Sequence, residues 1–186
     1  MKKFVIAAFL LILPLVMRAQ NSIRYRGDIG LQVYSGYYKI MGSRSWIPAT
    51  IFYTTHGIEW EESLTVAAGV GLGPAWYVDI QADPLQSVPL ALLQLYAHLD
   101  YAFLRDNDLR PFVGVRSGYD FTYTSRDKLG GAPEVGVGVG IRLHERLEFS
   151  AWYQMQMVRV QIPNGSPLVI IHYPSIGFAW RFGRTR

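Results

Sequence analysis

The feature that most constrains this chain is the strict two-residue alternation of residues 132–143, APEVGVGVGIRL. Val135, Val137, Val139, Ile141 and Leu143 fall on one face, and Glu134, Gly136, Gly138, Gly140 and Arg142 on the other. A period of two places successive side chains on opposite sides of an extended backbone, so the segment is a strand. His144-Glu145-Arg146 leaves room only for a tight turn. Beyond it, Leu147, Phe149, Ala151, Tyr153, Met155 and Met157 alternate with Glu148, Ser150, Trp152, Gln154 and Gln156. The two runs form a hairpin of matched arms.

The same period recurs along the chain. Residues 23–35 set Ile23, Tyr25, Ile29, Leu31 and Val33 against Arg24, Arg26, Asp28 and Gln32. Residues 63–78, 88–104, 110–121 and 169–182 read the same way, and residues 50–60 are strand-like with less regular alternation. The count is eight strands. Connections near 61–62, 105–109 and 144–146 are short, whereas those near 36–49, 79–88, 122–131 and 159–167 are longer and richer in Gly, Pro, Ser and charge. Short turns at one end and long loops at the other, with an even strand count, fit an up-and-down barrel that spans a membrane with both termini on the short-turn side.

At the N-terminus, Lys2 and Lys3 precede an apolar run from Phe4 to Met17, closed by Arg18, Ala19 and Gln20. A basic head, an apolar middle and a small-residue exit define a secretory signal peptide, too short for an ordinary spanning helix. Residues 1–19 are therefore expected to be cleaved, leaving residues 20–186 as one barrel domain. The chain has 18 Lys+Arg against 14 Asp+Glu, and Lys2, Lys3 and Arg18 leave with the signal, so 15 bases remain against 14 acids. That balance gives no reason to expect nucleic acid, which requires a clustered basic face. There is no Cys, so disulfides, thiolate metal sites, a cysteine nucleophile and a lipidated N-terminal Cys are excluded. Neither a metal nor another cofactor is expected.

Alternation alone does not say which face turns inward. Charge does. The polar faces carry Arg24, Arg26, Arg116, Arg142 and Arg181 with Asp28, Glu59, Asp100, Asp120, Glu134 and Glu148. Near-balanced signs suit an enclosed network, because buried charges are tolerated when paired and hydrogen-bonded. Tyr25, Trp60, Trp76, Tyr101, Phe103, Tyr119, Phe121, Phe178, Trp180 and Phe182 lie on the apolar faces, mostly near strand ends, as interfacial girdles would. Hydrocarbon forbids unpaired backbone groups, so the sheet must close. Eight strands enclose a bore that side chains fill, and no solute channel is expected.

Four stretches, THGIEW (55–60), LTVAAGVGLG (64–73), LRPFVGVRSGYDF (109–121) and PEVGVGVGIRLHERLEF (133–149), resemble the outer-membrane β-barrel domain family, similar in architecture to OmpX and the OmpA barrel. The resemblance covers nearly the whole mature chain. It implies a Gram-negative outer-membrane location with periplasmic termini, and contact with outer-membrane lipid and lipopolysaccharide. The ending IGFAWRF, with Ile176, Phe178, Trp180 and Phe182 alternating, is similar to the C-terminal strand signal read by barrel-insertion machinery. Here Gly183 to Arg186 follow the final aromatic, where the family signal usually ends the chain. The family implies place and fold, and no single chemistry.

Candidate sites are few. The glycine runs at 69, 71, 73 and at 136, 138, 140 lack the spacing and helix of a nucleotide fingerprint, and are read as room for a large neighbour, such as an Arg crossing the bore. His98 and Asp100 share a face and are the one candidate acid/base pair, for which Ser117 and Ser150 are the available hydroxyls. His56, His144 and His172 show no metal spacing. The segment 36–48 is read as a loop whose Tyr37, Tyr38, Lys39, Arg44 and Trp46 form a binding surface or an interfacial anchor. The expected role is non-enzymatic, structural or surface-interacting. A lipid-modifying enzyme is the alternative, and a small-solute pore a more remote one.

Overall fold

The computed structural model describes residues 23–40, 43–79, 86–104, 107–123, 128–144, 146–159 and 168–183. Residues 1–19, expected to be a signal peptide, and Arg184 to Arg186 lie outside these. Eight strands follow one another: β1 (Ile23–Ile40), β2 (Ser43–Trp60), β3 (Leu64–Asp79), β4 (Gln86–Ala102), β5 (Leu109–Tyr123), β6 (Lys128–Leu143), β7 (Leu147–Arg159) and β8 (Leu168–Gly183). Each pairs antiparallel with its chain neighbour, and β8 pairs back to β1, closing the barrel. The strands are 13 to 18 residues long. A tilted strand needs about 9–11 residues to cross the hydrocarbon, so each is long enough to span it.

The pleat decides the rest. Apolar residues that the two-residue period groups together point outward, leaving Val137 59%, Phe52 66% and Ile176 68% exposed. The opposite faces bury Arg26, Asp28, Glu59, Asp100, Arg116, Asp120, Glu134, Arg142 and Arg181. This is the inverse of a soluble barrel, and so large an apolar exterior is compatible with lipid rather than water. Aromatics gather at both ends of this surface. Tyr25, Trp60, Tyr101, Phe103, Phe178, Trp180 and Phe182 sit toward the end bearing the termini, and Tyr37, Trp46, Trp76, Tyr119 and Phe121 toward the other.

Two expectations about the ends need correction. Residues 36–48 are not a loop: β1 and β2 run on as a paired ribbon, with Tyr37 opposite Trp46, Tyr38 opposite Ser45 and Lys39 opposite Arg44, so only residues 41–42 separate them. Strand-favouring aromatics at Tyr37 and Trp46, and the hydrogen bond from Trp46 Nε1 to Ser35 Oγ at 2.9 Å, hold a Gly- and Ser-containing stretch in the sheet despite its local turn character. Conversely, the connection near 105–109 is not tight, since residues 103–108 separate β4 from β5. The contrast between long and short ends is therefore weaker than the sequence suggests. At the termini end, Glu61 and Glu62 both take positive φ, 51° and 59°, and Ser63 N donates to Trp60 O at 3.1 Å. Two central residues at positive φ match the twist of a two-residue hairpin turn.

The bore has two zones. Near the loop end, Tyr34, Ala49, Ile51, Ala75, Leu92, Ile171 and Tyr173 form a buried apolar cluster. Ile51, fully buried, explains why residues 50–60 alternate poorly: Ile51 and Tyr53 face inward while Phe52 faces lipid, so both faces of this stretch are apolar. The second zone, toward the termini, is charged. Between them the glycine faces do make room, but for rings and an amide more than for arginine. A Cβ on Gly138 would meet the Trp152 ring at 2.3 Å, one on Gly140 the Phe112 ring at 2.5 Å, and one on Gly136 Gln154 Cγ at 2.6 Å.

Gly138→Leu should therefore displace Trp152 and destabilise the barrel by about 1–3 kcal/mol, the usual cost of overpacking. Urea unfolding in detergent micelles checks this, with the lipid-facing Val137→Leu expected to be close to neutral.

Candidate functional site: the charged bore and the outer rim

The charged zone is built by inward positions of six strands. On the seam between β1 and β8, Asp28 stands directly opposite Arg181 in the register, and Arg181 Nε donates to Asp28 Oδ1 at 2.9 Å. Thr55 Oγ1 donates to the other Asp28 oxygen at 2.8 Å. Arg181 also lies 3.6 Å from Glu59 and 3.7 Å from Glu148, and Arg26 Nε lies 3.6 Å from Glu59. Glu148 passes the chain to Arg142 Nε at 3.2 Å. Arg142 bonds Asp100, and Asp100 Oδ2 is 3.4 Å from His98 Nε2. Arginine and carboxylate thus alternate from β2 across β1, β8, β7 and β6 to β4. Arg142 also lies over the Phe112 ring, 4.7 Å from its centroid. Excluded from water, such a network is favourable only while each charge keeps its partner.

A second group sits between this network and the apolar cluster. Arg116 is sandwiched between Tyr96 and Trp152, at 4.0 and 4.8 Å from the ring centroids, and donates to Gln32 Oε1 at 3.1 Å. Asp120 and Glu134 receive glutamine amides, from Gln156 at 3.2 Å and Gln154 at 3.0 Å. Tyr34 OH donates to Gln94 Oε1 at 2.9 Å, and Gln32 Nε2 to Ser175 Oγ at 2.7 Å. Among the described residues, Arg116 is thus held by two rings and an amide, Asp120 and Glu134 each by a glutamine amide, and no close ion pair joins them. The glutamines, Thr55 and Trp152 were missed as members, although their place on the inward face of each alternation marks them.

Arg24 stands apart. It is half-buried at the termini end and meets Glu62 at 2.9 Å, while Arg110 meets the other Glu62 oxygen at 3.4 Å. The turn between β2 and β3 therefore ties β1 to β5, on the far side of the barrel. Glu62 is not marked in the sequence because a turn residue carries no periodic signal, and Arg110 stands at the very start of β5, where the alternation only begins.

His98 stacks on Tyr96 with centroids 6.2 Å apart, and its Nδ1 is buried without a partner. No hydroxyl is hydrogen-bonded to it among the described residues: Ser117 faces outward with Oγ 3.5 Å from Glu134 O, and Ser150 faces inward on β7 opposite Gly140 and Gly177. The other histidines are at the surface. His56 shares a 2.5 Å hydrogen bond with Tyr25 OH, and His172 a 2.6 Å bond with Tyr153 OH. His144, in a turn, lies 3.6 Å from Asp108. Among the described residues, no three His, Cys, Asp or Glu side chains gather to hold a metal.

On the outer rim, Tyr37, Lys39, Arg44 and Trp46 are exposed on the outward faces of β1 and β2, and Trp46 Nε1 donates to Ser35 Oγ at 2.9 Å. Tyr38 pairs with Ser45 in the same ribbon. In β8, Ile176, Phe178, Trp180 and Phe182 all face outward, Phe178 against Phe149 at 5.1 Å and Phe182 against Tyr25 at 6.5 Å. Gly183, beyond the last aromatic, still pairs with Arg26.

No family model matches the sequence, and no characterised protein matches it in sequence either. Solved structures do match the fold. Neisserial surface protein A is 16% identical over 85% of this chain and 97% of its own, with a TM-score of 0.52. The outer membrane protein OprG from Pseudomonas aeruginosa is 12% identical over 88% of this chain and 97% of its own, with a TM-score of 0.51. The closed eight-strand meander, charged within and apolar without, is the architecture of small outer-membrane β-barrels.

Arg181→Ala strands Asp28 and weakens the hold on Glu59 and Glu148, so it should destabilise the barrel by about 3–5 kcal/mol. Arg24→Ala, at the rim, should cost less than about 1 kcal/mol. Chemical denaturation in micelles separates the two.

Proposed function

We propose that the chain is a non-enzymatic outer-membrane barrel with a structural or surface-interaction role, of the kind represented by OmpX and the OmpA barrel. The observation that carries this reading is the bore. An alternating ionic network fills its termini end and an apolar cluster fills its loop end, so the wall is a rigid support and not a conduit. Export by the segment 1–19 and insertion guided by the aromatic face of β8 fit the secretory pattern and the outward row Ile176, Phe178, Trp180, Phe182. The short turns and both termini then lie in the periplasm, and the β1–β2 ribbon faces the outer leaflet.

The rim of that ribbon supports a lipid-facing role. Tyr37 and Trp46 form an aromatic pair at the depth of an interface, and Lys39 and Arg44 stand one rung above, where anionic lipopolysaccharide head groups would be met. For a lipid-modifying enzyme the geometry offers less, since His98 and Asp100 are enclosed in the bore away from an outward hydroxyl.

Three measurements test the proposal. Unheated protein folded in detergent should migrate differently on a gel from the boiled form, and should be recovered with outer membranes. A planar bilayer containing it should stay silent. Steady conductance, or recovery as a soluble periplasmic protein, contradicts the reading.

A further inference from the structure

The lipid-facing surface is not uniform. Outward residues paired directly across strands form oblique rows. One row runs Tyr101, Val113, Val139, Ala151, Ile176 and Val33, crossing from β4 to β1. The next runs Leu99, Val115, Val137, Tyr153 and Pro174, and Ser35 on β1 continues its side. Between them lies a groove of about 1010 Å³. Its floor is the backbone of the inward-pointing residues between the rows, Tyr34, Gly114, Gly138, Trp152 and Ser175. The middle of both walls is short: valines on β5 and β6, and Ala151 on β7. Six strands give five interstrand spacings, roughly 24 Å of groove at about 4.8 Å each. It climbs from the aromatic girdle at the termini end toward the loop end.

Its upper mouth opens at Val33 and Ser35. Directly above on β1 come Tyr37 and then Lys39, with Trp46 and Arg44 as their partners on β2. Lys39 and Arg44 are both exposed and directly opposite, and neither has an ion-pair partner among the described residues. Like charges placed directly across a strand pair repel each other. An anion seated between them reverses the sign of that interaction. An apolar channel ending beneath an uncompensated cation pair is complementary to one molecule with both features.

We infer that this face is a specific site for an outer-leaflet lipid that carries both phosphate and acyl chains: one chain lies in the groove between the Ala151 and Val137 rows, and the phosphate meets Lys39 and Arg44. The inference rests on the reading that this ribbon faces the outer leaflet, and adds the groove to it. Trp46, tied to Ser35, stands between the two parts and fixes the mouth.

The test is native mass spectrometry of the mature barrel folded in maltoside micelles. The probes are hexa-acylated bisphosphoryl lipid A, its fully deacylated sugar phosphate, and phosphatidylcholine. Wild type should retain lipid A in preference to phosphatidylcholine. Ala151→Phe, which fills the groove, should weaken lipid A binding by about tenfold, a loss of 1.4 kcal/mol, and leave the weak binding of the deacylated probe unchanged. Val137→Phe, on the opposite wall, should act the same way. Lys39→Ala with Arg44→Ala should abolish preference for lipid A and binding of the deacylated probe. The unheated gel shift shows that each variant is folded. Full lipid A binding by both groove variants overturns the groove and leaves the headgroup reading standing. Unchanged binding by the double cation variant, or none by wild type, overturns the headgroup reading and the groove with it.

Discussion

The pair Asp28–Arg181 sits on the seam where the last strand meets the first, and the rest of the molecule depends on that closure. Until β8 pairs with β1, both carry a free edge, which hydrocarbon cannot accommodate. Once they pair, the charged faces become interior and the apolar faces opposite them exterior. The seam is also where the ionic network is densest, with Arg181 reaching three carboxylates from β1, β2 and β7. Backbone pairing and side-chain pairing thus favour the same register, because a shift of one residue in β8 would turn Arg181 into lipid and leave Asp28 unpaired.

The interior is graded. Ions near the termini, amides and a ring-sandwiched arginine in the middle, and an apolar cluster at the loop end follow one another along the axis. Each zone solves burial differently. The ions pair with one another, a glutamine amide donates to one oxygen each of Asp120 and Glu134, and the apolar cluster needs no partner. The glycines opposite Trp152 and Phe112 belong to the same solution, since a bore of eight strands admits large side chains only where the facing wall is bare.

The outside follows from the same pleat. Rows of outward side chains run across the strands, so a run of short residues on neighbouring strands becomes a groove and not a scatter of small gaps. That the groove ends beneath Lys39 and Arg44 depends on the pairing of β1 with β2 continuing to Ile40 and Ser43, which brings two cations into opposition.

By itself the sequence determined how many strands there are, where their central parts lie and which face of each is charged, because a period of two is a local property that each segment states independently. The inward set from Arg26 to Arg181 was legible for this reason. What only the tertiary structure decided is which member meets which: Asp100 finds Arg142 across forty-two positions, and Arg24 leaves the bore for Glu62. It also decided that residues 36–40 and 43–48 are strand, that Ile51 and Tyr173 cap the ions with apolar packing, and that Gly138 faces Trp152. Register and closure are long-range facts, fixed by the sum of backbone pairing and bore packing, and no single segment carries them.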